Sequence, residues 1–500
     1  MIVGSPPRSP RRVWYCYAIG TVGSILIIPG ILSGFGFPFI QSSLALCLLG
    51  ICLFPTAKFL SGSDNELPVL PVLCFSYAAQ YALPIFLDDP ALAVINGVAY
   101  QKNEDIVAAL LLTIAGVSML QAGYFLLHLA KVRRLLPCIS LPVKKSRARI
   151  YSMTVLFLLF AITNLQSLIP GDLYIRISAF VTLLQNQVLV AIGILGWMAY
   201  TGEARALDKL VLYALVLFAS IRGVSTGMIE PAVIPFAVLF VTRWLYTRRL
   251  PVKAMVAAGV LIFFLSPVKA AFRQTVWHGG SEESDSIDAA LSNASLWASE
   301  AFDYWSSTIG GQRTATESTA AALSRTDLIH QLSHIYSLTP SQIPFQNGET
   351  YSYFLVTFVP RVIWPEKPIA GSANAFYGIN YGITTEEGAR HSTFGISLIG
   401  EGYINFGIFG VIVIMALQGA ILAILQQVFA GTESGPGGKA VFLAFFVFFL
   451  NGVGTSADIF FGNIIQNLFC GCMLLWWARQ RLSNPLLKRA RVASSLYPAS

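Results

Sequence analysis

The residues able to do chemistry crowd into one stretch. From Gly348 to Gly407 the chain reads GETYSYFLVTFVPRVIWPEKP, then a Gly-rich polar run, then ARHSTFGISLIGEGYINFG. Glu349 and Tyr351 open it, and Pro360, Pro365 and Pro368 fix the backbone around Arg361, Trp364 and Lys367. Trp364 suits a headgroup layer or the face of a sugar ring. Arg361 and Lys367 suit a phosphate or a sugar carboxylate, or else belong to a plain aromatic and basic interface belt. His391 stands just before an apolar run, with Ser392 or Thr393 as helix cap. It is either a base that works near neutral pH or an interfacial hydrogen-bonding His. Glu401 and Asn405 are four apart and share one helix face, with Tyr403 on another. A Glu inside GISLIGEGYINFG cannot face lipid cheaply. It therefore points into a wet cavity or into protein, where an arginine such as Arg222 is a partner for it.

Arg222 lies in LYALVLFASIRGVSTG, an apolar run, just before a small polar break. An ionisable residue there marks a cavity wall, or snorkels to the interface. Arg176, beside Asp172, reads as an interfacial anchor. Arg273, one turn after Lys269, is an interfacial pair or a planar fork for a lipid phosphate. No zinc-protease, nucleophile-elbow, P-loop or Cys/His zinc pattern occurs. His330 and His334 are four apart on a predicted helix, but no third ligand stands out, so no metal site and no cofactor are expected. None of the seven Cys lies in the long polar segment, so no disulfide is expected there.

The elements that must position these residues are membrane helices. The 500 residues are 55% hydrophobic and 12% charged, with mean hydropathy +0.65. Apolar runs near 13–33, 37–60, 67–87, 105–130, 150–170, 177–201, 209–228, 229–246, 254–271, 394–429, 440–462 and 464–482 are each near the length that crosses about 30 Å of hydrocarbon. The pair around Gly227–Pro231 reads as one broken helix or two short ones. About twelve spans put the basic clusters after Met1, Ala130, Val241 and Ala478 on one side, which the positive-inside rule makes the cytoplasm. The formal charge of +8 is then topology, and nucleic-acid binding has no support. The Arg-rich N-terminus reads as the flank of an uncleaved first helix. The expected fold is an all-α polytopic membrane protein: a bundle of about nine spans over 1–271, a large external loop over 272–393, three spans over 394–482 and a basic cytoplasmic tail over 483–500. Within the loop, amphipathic helices are expected around SIDAALSNASLWASEAFDYW and over 317–337. The GTESGPGGK run at 431–439 reads as a flexible cytoplasmic turn.

An external basic and aromatic site without a nucleotide motif suits a substrate already activated in the membrane, a glycan on a polyprenyl diphosphate. The diphosphate is a good leaving group whose developing charge calls for Arg, and the acceptor hydroxyl needs a base or good positioning. The residues also carry a resemblance. G-E-T-Y with P-R-x-x-W-P-x-K-P over 348–368, S-x-x-G-E-G-Y-x-N-F-G-x-x-G over 397–410, and Arg222-Gly223 within a span resemble the bacterial oligosaccharide repeat-unit polymerases, the Wzy-type O-antigen and exopolysaccharide polymerases. The resemblance implies a GT-C-like membrane glycosyltransferase architecture in the bacterial inner membrane. It implies transfer of a glycan chain from undecaprenyl diphosphate to a lipid-linked repeat unit on the periplasmic side, with membrane lipids and a chain-length-regulating co-polymerase as partners. Carried over, Arg222 and Arg273 hold phosphates, Arg361 assists, and His391 or Glu401 acts on the acceptor hydroxyl. The surrounding Lys367, Trp364, Glu349, Tyr351, Tyr403 and Asn405 contact substrate. An O-antigen ligase of the same general fold is the near rival, and a lipid-linked glycan flippase the distant one. A flippase calls for charges spread over several spans and a repeat between halves, neither of which the sequence has.

Overall fold

The computed structural model describes residues 10–34, 36, 38–61, 67–87, 102–127, 143–165, 170–225, 229–249, 251–268, 287–311, 327–357, 359, 364, 372–391, 395–431 and 434–478. Every regular element among them is helical. In order they are α1 (Pro10–Ser33), α2 (Phe39–Ser61), α3 (Val69–Tyr81) with a 3₁₀ turn (Leu83–Leu87), α4 (Asn103–Leu127), α5 (Lys145–Leu165), α6 (Gly171–Tyr200), α7 (Ala206–Ser225), α8 (Ile229–Thr247) and α9 (Val252–Leu265). After these come α10 (Ile287–Ile309), α11 (Ile329–Leu338), α12 (Glu349–Thr357), α13 (Ser372–Asn380), α14 (Glu386–His391), α15 (Ser397–Ala430), α16 (Gly435–Asn451) and α17 (Ala457–Ala478). Hydrocarbon offers backbone groups no partner, so an apolar chain satisfies them within helices. All twelve apolar runs accordingly carry helices. Among the described residues, five helices (α1, α2, α4, most of α6, and α15) are long and apolar enough to cross a membrane. The molecule is a helical membrane protein.

The central pair is α4 and α15. Gly123 lies against the backbone of Ala416, and Gly419 against the backbone of Leu120, so neither position has room for a side chain. Small residues let membrane helices approach this closely. A buried hydrogen bond secures the pair, Tyr124 donating to Gln426 (2.6 Å), and Tyr77 of α3 joins it by donating to Gln418 of α15 (2.8 Å). At the far side of the bundle Arg149 of α5 holds the buried Asp208 of α7 at 2.9 Å.

The boundaries differ from expectation in three places. The run at 394–429 is not one span. Within α15, Phe406 and Gly407 leave helical geometry, Gly407 at φ +60° and ψ −146°, a region open to glycine alone. The arm 397–405 folds back, so Gly402 packs on Gly410, Val411 and Ile414. In a straight helix residues 402 and 410 would stand about 12 Å apart along the axis. The spanning part, 408–430, is about 34 Å long at 1.5 Å per residue. The ambiguous pair around Gly227–Pro231 is two helices, α7 and α8, with Gly223 pressed against Pro231 and Ala232. The 431–439 run is not all turn, because α16 begins at Gly435 with Pro436 in its first turn.

Among the described residues, the segment between α9 and α15 carries five helices. Helix α10 covers the expected helix at 286–305, runs on to Ile309 and packs on α7. Its Trp297 and Trp305 indoles donate to the Leu265 and Phe264 carbonyls at 3.1 and 2.9 Å, closing the C-terminal end of α9. Helix α11 occupies the second half of the expected 317–337 helix, whose first part lies outside the described residues.

Gly407→Ala is expected to lower stability by about 1–3 kcal/mol, because Ala must be forced into that backbone region. Gly20→Ala, in open space on α1, is expected to be neutral or stabilising by up to about 1 kcal/mol. Thermal unfolding of the detergent-solubilised protein compares the two, and equal midpoints would show that the break is not strained.

Candidate functional site

The broken α15 creates the demand that the site meets. At the break the last turn of the 397–405 arm loses its intrahelical donors. Residues 345–351 supply them. The Asn347–Gly348 turn has φ of +51° and +96°, the left-handed pair that an Asn-Gly dipeptide favours. It aims three successive N–H groups at the arm: Gln346 to the Ile404 carbonyl (3.0 Å), Asn347 to the Asn405 carbonyl (3.1 Å), and Gly348 to the Asn405 side-chain oxygen (2.9 Å). Asn405 then donates its amide N–H groups to Thr350 Oγ1 (2.7 Å) and to the Glu401 carbonyl (2.9 Å). Both its ends are thereby fixed.

Glu401 is fully buried. Its Oε1 accepts from the Thr350 hydroxyl at 2.8 Å, and its Oε2 from the Ala457 N–H at 2.6 Å. Ala457 is the first residue of α17, so the carboxylate caps that helix where the backbone dipole favours negative charge. One carboxylate thus joins three elements: the α15 arm, α12 and α17. The sequence offered it an arginine partner, Arg222. It takes a hydroxyl and a backbone N–H instead, while α7, which bears Arg222, packs on α6, α8 and α10. Glu401 is enclosed and both its carboxylate oxygens are engaged.

The remaining candidates fall around this clasp. Tyr403 is packed between Tyr336 (ring centroids 5.5 Å) and Phe345 (6.0 Å). Tyr351 lies over Phe406 at 6.4 Å. Burial, with the Glu401 carboxylate beside it, pushes the Tyr351 hydroxyl above its usual range, so it stays a neutral donor. That hydroxyl is enclosed without a hydrogen-bond partner among the described residues. Glu349, next to both Thr350 and the turn, is exposed in the first turn of α12. Trp364 is also exposed. Arg222 is half-buried in the last turn of α7, beside the helix α10 that caps α9. His391 ends α14, and its side chain lies outside the described residues, as do Arg273, Arg361 and Lys367. Arg176 and Asp172 are placed by backbone only, in the first turns of α6.

Two groups escaped the sequence reading. Thr350, within the quoted G-E-T-Y, is the hinge of the clasp, donating to Glu401 and accepting from Asn405. The other is a carboxylate–imidazole pair. Asp327 Oδ2 lies 2.6 Å from His330 Nδ1, and Asp327 Oδ1 accepts from the His330 N–H at 3.2 Å. Its i, i+3 spacing was legible as a helix-start signal. His334 Nε2 lies 2.9 Å from the Tyr381 carbonyl. Among the described residues no cluster of three metal-ligating side chains occurs.

Fold and site together define an all-helical membrane protein in which a re-folded helical arm, a loop helix and the last apolar helix are clasped by one buried carboxylate. The chain belongs to the DUF8712 family, described as a domain of unknown function, whose profile matches residues 92–481 and so takes in the whole clasp. No curated protein and no solved structure matches the chain.

Thr350→Val keeps the shape and removes both the donor to Glu401 and the acceptor for Asn405. It is expected to cost about 1–3 kcal/mol, the usual penalty for buried partners left unpaired. Thr350→Ser, which keeps the hydroxyl, is expected to melt near the parent protein. Matching melting temperatures for Val and parent would remove the clasp from the list of stabilising contacts.

Proposed function

We propose that the chain is a polysaccharide polymerase of the bacterial inner membrane. It transfers a growing glycan from undecaprenyl diphosphate to a lipid-linked repeat unit on the periplasmic face. One observation carries the reading. The G-E-T-Y segment at 348–351 and the G-E-G-Y-I-N-F-G segment at 400–407, on which the resemblance to repeat-unit polymerases rests, are joined through Thr350, Glu401 and Asn405. Two motifs some fifty residues apart thus act as one structural unit.

In this reading about twelve spans form a GT-C-like frame with both termini in the cytoplasm, and residues 272–393 cover the periplasmic mouth. The acceptor hydroxyl attacks the anomeric carbon as its proton passes to His391 or Glu401, and the bond from that carbon to the diphosphate oxygen breaks, its electron pair leaving with the diphosphate. Arg222 and Arg273 balance the charge that gathers on the leaving diphosphate, and Arg361 and Lys367 assist. Trp364 and Tyr351 offer aromatic faces to sugar rings. Glu349, Tyr403 and Asn405 shape the wall, and Glu401 holds it in place. The chemistry needs no cofactor. The partners are lipid-linked oligosaccharides, membrane lipids and a chain-length-regulating co-polymerase.

The glycan profile of a strain lacking the gene tests the reading. Single repeats capped on their final acceptor are expected. Long polymer retained on undecaprenyl diphosphate would make the chain a ligase, and lipid-linked repeats trapped in the cytoplasmic leaflet would make it a flippase. Arg222→Ala in the complementing gene is expected to give the same single-repeat profile with normal protein in the membrane.

A further inference from the structure

Away from the clasp, three helix ends converge on a cavity. Helix α6 packs on α5 along one side and on α16 along another. The start of α5, the end of α6 and the first turn of α16 thereby enclose about 450 Å³. The wall changes character from inside to outside. Val143 is buried, and Trp197 and Pro436 are half-buried, so the inner wall is apolar. Lys144 and Lys145 are exposed and set two ammonium groups at the solvent edge.

The charge here is one-sided. Among the described lining residues Glu203 alone is acidic, and Lys145 already engages it at 2.9 Å. With two lysines against one carboxylate, the cavity keeps a surplus positive charge. Lys439 adds to it, half-buried on α16 one turn beyond Pro436 and on the same face. Arg248, just after α8, is near enough for its charge to act on Lys439. Like charges gathered at helix ends repel one another unless an anion lies among them.

The apolar wall bears on what that anion is. Trp197 stands in the last turn of an apolar helix, and the lysines follow at once in space. That is the level at which a bilayer passes from acyl chains to headgroups. A free phosphate would meet the lysines and leave the apolar wall wet. A phospholipid covers both, its phosphate at the lysines and its glycerol and first methylenes on Val143, Trp197 and Pro436.

We infer that this cavity is a headgroup site for an anionic phospholipid, with Lys144 on the phosphate and Lys145 shared between the phosphate and Glu203. Basic pockets between membrane helices hold lipid headgroups in this way. One lipid bound there joins α5, α6 and α16 and steadies the basic end of the bundle. The site stands apart from the glycan-transfer reading and survives its failure.

Thermal unfolding of the full-length protein, delipidated in a neutral detergent, tests the site. Phosphatidylglycerol is expected to raise the melting temperature by about 2–4 °C at saturation. Phosphatidylethanolamine and inorganic phosphate at the same concentration are expected to leave it near the lipid-free value. Lys144→Gln, at an exposed position, is expected to melt with the parent protein when lipid-free. It is expected to need about fivefold more phosphatidylglycerol for half the gain, the worth of one lysine facing an anionic headgroup. Lys144→Arg, which keeps the charge, is expected to titrate like the parent. So is Lys209→Gln, which removes an exposed lysine at the start of α7 outside the cavity. An equal gain from inorganic phosphate would make the ligand a free anion and overturn the lipid. An equal gain from phosphatidylethanolamine would overturn the requirement for an anionic headgroup. A parent-like titration in Lys144→Gln, or the same weakening in Lys209→Gln, would overturn the cavity as the place where the lipid binds.

Discussion

A broken helix in an apolar frame is a problem of unpaired backbone groups, and the rest of this structure is arranged around solving it. Where α15 turns at Phe406–Gly407, the arm before the break has carbonyls without donors. The start of α17 nearby has N–H groups without acceptors. In water both would be solvated. Inside a helical membrane protein each unpaired group costs several kcal/mol. The Gln346–Gly348 turn supplies the donors and Glu401 the acceptor. Because Glu401 also takes the Thr350 hydroxyl, the two repairs are one network. Such a network is strong when every member is satisfied and weak otherwise. This explains why a carboxylate, costly to bury, is retained at a position with no exposure at all.

That constraint also ties loop to bundle. Helix α12 is attached by Thr350, α11 by Tyr336 and Ile335, and the turn by Phe345 against Tyr403. The contacts on the arm come from three separate pieces of the segment between α9 and α15. A segment held at so many points is a fixed part of the frame, and side chains such as Tyr351 and His330 inherit fixed positions from it. Preorganisation of this kind is what a site for charge development requires.

The helices were legible in the sequence because an apolar run declares itself without reference to any partner. Composition placed α1 to α9 and α15 to α17 close to where they lie. The break was not legible in that way. Residues 394–429 read as one mainly apolar run, and Gly400, Gly402, Gly407 and Gly410 are spaced closely enough that no one of them stands out as the turn. Length alone was the clue, since 34 helical residues would extend about 51 Å against roughly 30 Å of hydrocarbon. The polar contacts were hidden for another reason. The stretch 348–407 was visible as an anomaly, and Glu401 and Asn405 as residues that must face inward. Their partners lie fifty residues away and carry no charge. Charge matching therefore suggested an arginine, where the fold used a hydroxyl and a helix N-terminus.

The same lesson bears on the histidines. Spacing placed His330 and His334 on one helix face, because i, i+4 residues share a face, and permitted a pair that no third ligand supported. Sharing a face does not fix what a ring nitrogen bonds to. His330 turns its Nδ1 to Asp327 at the start of its own helix, while His334 reaches the Tyr381 carbonyl just after α13. The former contact sets a tautomer through a buried charge, and the latter ties α11 to the chain after α13. Two residues alike in type and exposure pattern are thereby given different partners. The difference lies in a single carboxylate three residues upstream, and only the folded chain shows that this carboxylate is turned toward the ring.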